Sequence, residues 1–454
     1  MRACDLFIDN CTLLCMDASW TIHERGFIAI EGGNILAIGA ADSPEADWHR
    51  RNAKGSFDAV GLLALPGFVN THTHLPMSAF RGAGEDLPDR LRKYLFPLEK
   101  SLVNRRLVRE ASLFTLTEMA LSGTTTFADM YYFEDEVARA TKDAGLRALL
   151  GETVVDFPAP DSGEPYGGIE YACRFISEWK GDKLISPSFA PHAPYTVDAE
   201  HLALIAAEAE RRDVPVLLHV AEADFEHERF SASHGSVLKY LDSTGILGPR
   251  LLAAHMLYVD DQDIELAARR GLAVAHVPAS NAKSGRLICP AWRMAKAGIR
   301  LGLATDGPIS GNGMDMQGVM TIYPKLQKTR ERCRDIVSAR EALCAATLGG
   351  AVALGLGDRT GSLEAGKAAD LVLADTRDFN LQPVYDWYAT IVYGMRPHNV
   401  RHVLVDGAWV VRDRRMTGFD QEGVMDRMLA IAGECRTTIA EISAAAATPQ
   451  GVKA

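Results

Sequence analysis

The chain has 454 residues, a formal net charge of −11 and a hydrophobic fraction of 47%, which is typical of a folded globular protein rather than a disordered or fibrous one. The acidic balance argues against a nucleic-acid partner, because nucleic-acid-binding proteins usually present a basic face, and it leaves small molecules as the easier partner class. No apolar run approaches the length of about 18 residues that a transmembrane helix needs, so we expect no membrane partner.

The N-terminal segment does not look like a secretion signal. Asp5 and Asp9 interrupt what should be its apolar region, and no small-residue cleavage site follows. The 8 cysteines form no C-x-x-C pair. Scattered cysteines of this kind are typical of free, buried thiols in a reducing compartment, so we expect a cytoplasmic protein.

The chain opens with β-strand patterns and continues with alternating strands and helices. Two apolar runs in 27–39 surround a Gly-Gly pair, which predicts a hairpin. Later, short apolar strands alternate with amphipathic stretches such as 111–123 and 199–213, as in a parallel sheet. Eight such strands favour an α/β fold with a closed (β/α)8 TIM barrel over an open doubly wound sheet. The predicted strands are 65–74, 124–132, 146–155, 184–192, 214–222, 251–256, 272–278 and 301–307.

After the barrel, β-strand patterns return at 369–375 and at 400–413, with Asp406 and Gly407 as a predicted turn. We therefore predict a small β-sandwich domain formed by both termini, followed by a helix and a frayed tail. The predicted segments are 1–62 and 361–420 for the β-sandwich, 63–360 for the barrel, and 421–454 for the C-terminal helix and tail.

Polar residues mark the ends of the predicted barrel strands, where active sites of such barrels lie. In the H-x-H motif, residues i and i+2 of a strand point to one side, so His72 and His74 can aim at one point. An isolated H-x-H is often a pair of half-exposed loop histidines, but the further strand-end groups favour a metal site, because His and Asp are ligands of zinc-like cations. The strand-end groups are His72, His74, His219, Glu222, His255 and Asp306.

These groups predict one catalytic metal. Four ligands leave an open position for a water, whose pKa a bound Zn²⁺ lowers to about 7. Glu222, three residues after His219, suits a general base that later acts as an acid. His255 could hydrogen-bond the water or polarise the substrate, or be a fifth ligand or a structural histidine. The predicted ligands are His72, His74, His219 and Asp306.

The end of predicted strand four bears on the number of metals. A two-metal site often needs a bridging lysine there, but Lys183 precedes the strand at the wrong end, which favours a single metal. His192 occupies the strand end instead and could contact the substrate or serve only in packing. Arg147 begins strand three, at the opposite end of the barrel, and this position indicates a structural role.

The chain resembles the amidohydrolase superfamily, and within it the ATZ/TRZ branch of S-adenosylhomocysteine and methylthioadenosine deaminases and triazine hydrolases. The resemblance implies a (β/α)8 barrel with a small β-sandwich, one Zn²⁺ (or Fe²⁺) on the ligands named above, and a homo-oligomer. It also implies that Glu222 shuttles protons, that His255 and Asp306 orient the hydroxide, and that Glu99 binds ribose hydroxyls. The resemblance is carried by the motifs PGFVNTHTH (66–74), RGAGEDL (81–87), SGTTTFADMY (122–131), PHAPYT (191–196), HVAE (219–222), AAH (253–255), HVPASN (276–281), TDG (305–307) and GSLEAGKAADLVL (361–373).

Two predicted mouth loops depart from the family pattern. Residues 306–316 read DGPISGNGMDM where nucleoside deaminases often have DGAASNN, and 282–290 read AKSGRLICP where the family has an LKLASG-like run. The substrate therefore stays open among nucleosides, nucleobases, pterins and triazines.

We predict a hydrolase of carbon–nitrogen bonds in cyclic amidines: a metal-dependent deaminase of an aminated N-heterocycle. One alternative is a triazine hydrolase that removes chloride or an alkylamine. Another is a cyclic amidohydrolase, which would more naturally use two metals. A non-catalytic scaffold would be expected to lack the ligands or Glu222, and all of them are present.

Overall fold

The computed structural model describes residues 2–87 and 89–447, and two β-sheets organise them. An eight-stranded sheet comes from the middle of the chain, and a nine-stranded sheet comes from both ends, which confirms the predicted fold class. The strands are β1 (Leu6–Leu14), β2 (Ile22–Glu31), β3 (Asn34–Ala40), β4 (Gly55–Asp58), β5 (Leu62–Pro66), β6 (Phe68–Thr73), β7 (Thr124–Tyr131), β8 (Arg147–Val154), β9 (Ile185–Pro191), β10 (Val216–Val220), β11 (Leu251–His255), β12 (Ala273–His276), β13 (Arg300–Leu303), β14 (Leu371–Asp375), β15 (Val400–Val405), β16 (Ala408–Arg412) and β17 (Arg415–Met416).

Helices follow most barrel strands and cover the outside of the barrel. The α-helices are α1 (Pro44–Asn52), α2 (Phe96–Leu102), α3 (Arg105–Leu121), α4 (Glu134–Ala144), α5 (Gly168–Trp179), α6 (Ala199–Arg212), α7 (Asp224–His234), α8 (Val237–Thr244), α9 (Asp261–Arg270), α10 (Pro278–Lys283), α11 (Ala291–Lys296), α12 (Met316–Glu331), α13 (Ala339–Ala345), α14 (Leu348–Ala353), α15 (Trp387–Ala389) and α16 (Gln421–Ala447). Shorter turns are 3₁₀-helical at Leu75–Phe80, Phe379–Leu381 and Pro397–Asn399 and π-helical at Leu91–Leu95 and Thr390–Gly394.

Strands β6 to β13 pair in parallel in chain order, and the two end strands, β6 and β13, lie against each other, so the barrel is nearly closed. The Thr71 hydroxyl donates to the Leu303 carbonyl at 3.0 Å, and the Asp306 amide donates to the His72 carbonyl at 3.1 Å. Apolar side chains fill the interior, as in a packed barrel core. The eight predicted strands are thus confirmed in number and order.

The predicted first strand, 65–74, is wrong in one respect: it joins two strands of different sheets. Pro66 ends β5, which pairs with β14 in the terminal sheet, and β6 begins at Phe68 in the barrel. A Cβ on Gly67 would lie 2.1 Å from the Thr125 side chain, so only glycine allows the chain to pass there. A continuous apolar run in sequence therefore hides a change of sheet.

The terminal sheet folds over itself, as the predicted β-sandwich requires. Its strand order is β17-β16-β15-β14-β5-β1-β2-β3, with β4 beside β1. The centroid of the Phe57 ring on β4 lies 5.0 Å from that of His402 on β15 and 5.1 Å from that of Trp409 on β16. The strands from the N-terminal part of the chain therefore pack against those from the C-terminal part. Both predicted hairpins are confirmed, with β2–β3 turning at Gly32-Gly33 and β15–β16 at Asp406-Gly407.

Helix α16 confirms the predicted C-terminal helix, and the predicted frayed tail, 448–454, lies outside the described residues. All 8 cysteines are free thiols; five are buried, and Cys173, Cys333 and Cys344 are partly exposed. None of the helices in the described part of the chain has the length and hydropathy that a membrane span requires. The domain boundaries themselves stay a prediction.

Candidate active site

The carboxyl ends of the barrel strands open into a cavity of about 920 Å³. His72 lies behind its wall, with its ring centroid 4.7 Å from that of His74 and 4.9 Å from that of His219. The chain therefore brings all the predicted site residues to one end of the barrel. Those that line the cavity are His74, Glu99, His192, His219, Glu222, His255 and Asp306.

Three histidines form a group that can hold a metal ion. One ring nitrogen from each of His72, His74 and His219 lies within 4.8 Å of the others, and all three side chains are buried. The Nδ1 atom of His74 is 2.7 Å from the Met130 carbonyl, and that of His219 is 2.7 Å from the His192 carbonyl. Because a carbonyl only accepts, both Nδ1 atoms carry the proton, and each Nε2 keeps its lone pair.

Those lone pairs converge without a partner of their own. The Nε2 atoms of His74 and His219 are 3.3 Å apart, and the buried Nε2 of His72 has no hydrogen-bond partner among the described residues. Burial holds the pKa of His72 and of His219 well below the ordinary value for histidine, which favours neutral rings. Converging imidazole nitrogens, two of them on rings that burial keeps neutral, fit a zinc-like cation.

Asp306 lies at the edge of this group. Its Oδ1 is 3.5 Å from the Nε2 of His74, and it accepts a hydrogen bond from the Gly307 amide at 2.6 Å. Its Oδ2 accepts from the Ser280 hydroxyl at 2.7 Å. The carboxylate is thus held beside the histidines in a fixed orientation, while its role as a fourth ligand stays a prediction.

Glu222 and His255 face one another across the same space. The Nε2 of His255 is 3.6 Å from Oε1 of Glu222, and its Nδ1 is 3.0 Å from Oδ1 of Asn281. Arg286 forms an ion pair with the same Glu222 oxygen. Nearby His255 and Arg286 lower the pKa of Glu222 despite its burial, so the carboxylate is ionised and able to accept a proton.

The turn that carries Glu222 is held by a second buried carboxylate. Glu226 accepts from the amides of Ala221 and Glu222, each at 2.9 Å, and from that of Ala223 at 3.3 Å. Burial raises the pKa of Glu226 to about 7 even though three amides point at it. The position of Glu222 therefore depends on a group that the sequence analysis did not single out.

Four residues at this end of the barrel have left-handed backbone conformations. Ala221, His255, Met256 and Asp306 have φ values of 52°, 74°, 53° and 67°. Non-glycine residues seldom adopt this left-handed region, and those that do concentrate at functional sites. Three of these residues directly follow, or end, strands that carry the predicted site groups.

The two predicted substrate-binding residues lie on the cavity wall. Glu99, on α2, is 4% exposed, and burial raises its pKa to about 8 although the neighbouring Tyr131 opposes the shift. The Nδ1 of His192 is 2.8 Å from the Thr196 hydroxyl, and burial lowers the pKa of His192 to about 4. Both side chains are therefore uncharged at neutral pH, and their role in binding stays a prediction.

The sequence analysis missed the residues that orient the site: Ser280, Asn281, Glu226 and Arg286. The first two belong to the HVPASN motif, which was recognised as a string without a role for each residue. By contrast, Lys183 forms an ion pair with Asp406 of the terminal sheet, away from the cavity. Strand four thus brings no lysine to the mouth, as its sequence predicts.

Comparisons with known proteins agree with this geometry. The family model described as "Amidohydrolase family" matches residues 63–410. A 5-methylthioadenosine/S-adenosylhomocysteine deaminase from Syntrophobacter fumaroxidans is 38% identical over 94% of this chain and 98% of that relative. The crystal structure of an adenosine deaminase from Xanthomonas campestris with bound zinc is 32% identical, with a TM-score of 0.92 over 96% of this chain and 99% of that one.

A more distant structure shares the fold: an atrazine chlorohydrolase from Arthrobacter aurescens complexed with zinc is 23% identical, with a TM-score of 0.86 over 94% of this chain and 100% of that one. The family match spans the whole barrel and part of the terminal sheet, and the 38% identity extends over nearly the full chain. The chain therefore belongs to the amidohydrolase family.

Proposed function

We propose that this protein is a metal-dependent hydrolase that removes an amino group from an aminated N-heterocycle and releases ammonia. The observation that carries the proposal is the convergence of three histidine nitrogens beside an ionised glutamate at the cavity. The deaminases among its relatives support the same reaction. Water adds to the ring carbon, the bond from that carbon to the amino nitrogen breaks, and ammonia leaves.

We propose that the resident metal is one Zn²⁺ per chain, held by His72, His74, His219 and Asp306. Zinc at such a site supplies a hydroxide nucleophile at neutral pH. The zinc-bound adenosine deaminase and chlorohydrolase support this choice, and Fe²⁺ is the alternative for the same ligands. The three histidines supply the nitrogen ligands that such an ion prefers.

The protein groups around the ligands divide the proton transfers. Glu222 is ionised, so it can take the proton of the attacking water and pass it to a ring nitrogen. His255, held by Asn281, faces Glu222 and can orient the water or polarise the ring. Glu99 and His192, uncharged on the cavity wall, can exchange hydrogen bonds with the rest of the substrate.

Two finer expectations belong to the same proposal. We place the enzyme in the cytoplasm, since its 8 cysteines are unpaired. We also propose a homo-oligomer, and this proposal rests on the resemblance to the amidohydrolase family. Light scattering on a chromatographed sample tests the second point, with a mass above the 49.3 kDa of one chain expected.

Ammonia release across a panel of compounds tests the proposal. The panel contains methylthioadenosine, S-adenosylhomocysteine, adenosine, guanine, cytosine, isoguanine, an aminopterin and an aminotriazine, each offered to zinc-loaded and to chelated protein. We expect ammonia from one chemical class, with zinc only. Chloride release from a chlorotriazine, with no ammonia from any compound and one zinc bound, would favour the triazine hydrolase alternative.

A further inference from the structure

Arg286 lines the active-site cavity, and none of the roles proposed above involves it. It follows α10 in the loop that departs from the family pattern, and its amide donates to the Asn281 carbonyl at 3.0 Å. Its side chain lines the cavity and is 32% exposed. The guanidinium forms an ion pair with Oε1 of Glu222, the proposed general base. A permanent cation thus touches the group that must exchange protons with the substrate.

The guanidinium has more donors than this ion pair uses. Arginine carries five N–H groups in a planar fork. Within the described residues, the side chain of Arg286 donates a hydrogen bond to Glu222 alone. None of its nitrogens is buried without a partner, and the side chain lines the cavity, so its other donors are accessible to a ligand bound there. Donors that face a cavity beside a reaction centre are suited to an acceptor on a bound ring.

The proposed chemistry indicates which part of the ring would carry the acceptor for Arg286. Glu222 delivers a proton to the ring nitrogen next to the carbon that loses its amino group. A ring whose nitrogen lies against Glu222 would bring the next ring atom, on the far side of that nitrogen, towards the guanidinium that pairs with this carboxylate. An oxygen on that atom would lie in the plane of the ring, where a planar guanidinium can donate to it.

We propose that Arg286 is a specificity-determining residue that selects rings with an oxo group on the carbon next to the nitrogen protonated by Glu222, a role that rests on the proposed deamination. Isoguanine and cytosine have this arrangement, whereas adenine and 4-aminopyrimidine lack the oxygen. The oxo group takes no part in the bond changes, so the products are the corresponding dioxo ring and ammonia.

A site that hydrogen-bonds a substrate oxygen discriminates against a ring that lacks it, because the donors then lose their partner. Arg286 keeps Glu222 and some solvent contact, so the discrimination should fall below that of an enclosed site. We expect kcat/KM for isoguanine to exceed that for adenine by about 10- to 100-fold. The pair cytosine and 4-aminopyrimidine should show the same order.

Substitution of Arg286 tests this role with the full-length, zinc-loaded protein. Arg286→Met removes the donors at similar length, and Arg286→Lys restores one cationic donor. Arg293→Met is the matched control, because Arg293 on α11 is exposed and pairs with Glu331 at the end of α12. We expect Arg286→Met to abolish the preference for the oxo ring, Arg286→Lys to recover part of it, and Arg293→Met to leave it unchanged.

An equal loss on both members of each pair in Arg286→Met would overturn the proposal, because that pattern belongs to a residue that only positions Glu222. Product binding separates this outcome from failure of the deaminase proposal. Even without turnover, the wild-type protein should bind xanthine at least tenfold more tightly than hypoxanthine, and Arg286→Met should not. Equal affinities in the wild-type protein would contradict the role of Arg286 whatever the reaction.

Discussion

The two ends of the barrel carry buried polar groups in opposite states. At the amino end of the barrel strands, which we call the floor of the barrel, Arg147 Nε is 2.8 Å from Oδ2 of Asp370 and its Nη2 is 3.1 Å from Oδ1. Its Nη1 donates to the Lys183 carbonyl at 3.0 Å. At the mouth, the Nε2 atoms of His74 and His219 face each other at 3.3 Å, and that of His72 has no partner among the described residues.

This difference in hydrogen bonding distinguishes groups that stabilise the fold from groups that are available for chemistry. Buried polar groups cost free energy unless they are paired, so a paired group such as Arg147 can serve stability alone. At the mouth, the Nδ1 atoms of His74 and His219 are paired with backbone carbonyls, which leaves the Nε2 atoms available to a ligand. The left-handed residues His255 and Asp306 belong to this end as well. A substitution at the mouth should therefore change mainly the activity, and one at the floor of the barrel should change mainly the stability.

The largest expected effect is at the mouth. Glu222→Gln removes the carboxylate that accepts and donates the proton, so kcat should fall by about 10² to 10⁴-fold. Zinc content and the thermal unfolding temperature should stay near the wild-type values, because Glu222 is not a predicted ligand. Glu200→Gln, at an exposed position on α6, is the control. Turnover near the wild-type rate would rule out Glu222 as the proton shuttle.

At the floor, Arg147→Met should reduce stability and spare the chemistry. It leaves Asp370 buried without its cation, and loss of one partner of a buried pair costs about 3 to 5 kcal/mol. The folded fraction should keep its kcat. Arg174→Met breaks an exposed pair with Glu170 and should change the free energy of unfolding by less than about 1 kcal/mol. Denaturant unfolding measures both, and equal effects would contradict the contrast.

Glu226→Gln should give an intermediate effect, because it disturbs the turn and not the chemistry. The amide replaces one acceptor oxygen with a donor that faces backbone N–H groups of residues 221–223. We expect kcat to fall about tenfold while zinc content is unchanged. Glu228→Gln, exposed on the same helix, should behave like the wild-type protein. Unchanged kcat in Glu226→Gln would show that the turn holds Glu222 without this carboxylate.

The last predicted effect is a pH dependence of stability at Glu99. Its pKa is raised from 4.5 to about 8, so the folded state keeps a proton that the unfolded state releases. Stability therefore falls as pH rises from about 4.5 towards 8. Glu99→Gln cannot ionise, and its unfolding temperature should decline less than that of the wild-type protein between pH 5 and pH 8. Parallel curves for the two proteins would contradict a neutral Glu99 carboxyl.

The sequence patterns predicted the features that follow from local backbone geometry, namely the barrel strands and the residues at their ends. The alternation of strands and helices indicated eight barrel strands, and the strand-end position of His72, His74 and His219 predicted that they meet. The change of sheet at Gly67 was missed because the apolar run continues through it and only the contact with Thr125 reveals it.

Contacts between loops were beyond such reasoning. Glu222 and Arg286 are separated by 64 positions, and their ion pair depends on how the loop after α10 folds back over the mouth. Ser280 and Asn281 likewise orient Asp306 and His255 only through the placement of α10. A motif locates such residues, but the side chain that each one meets is a property of the fold.

The central claim is that the three converging histidines, His72, His74 and His219, hold a catalytic metal. Zinc titration into chelated protein, followed by calorimetry, tests it directly in the wild-type chain and in His72→Ala. The account predicts one tight equivalent in the wild-type protein and at least a hundredfold weaker binding in His72→Ala, with both chains folded before zinc is added. Equal stoichiometry and affinity in the two proteins would contradict it.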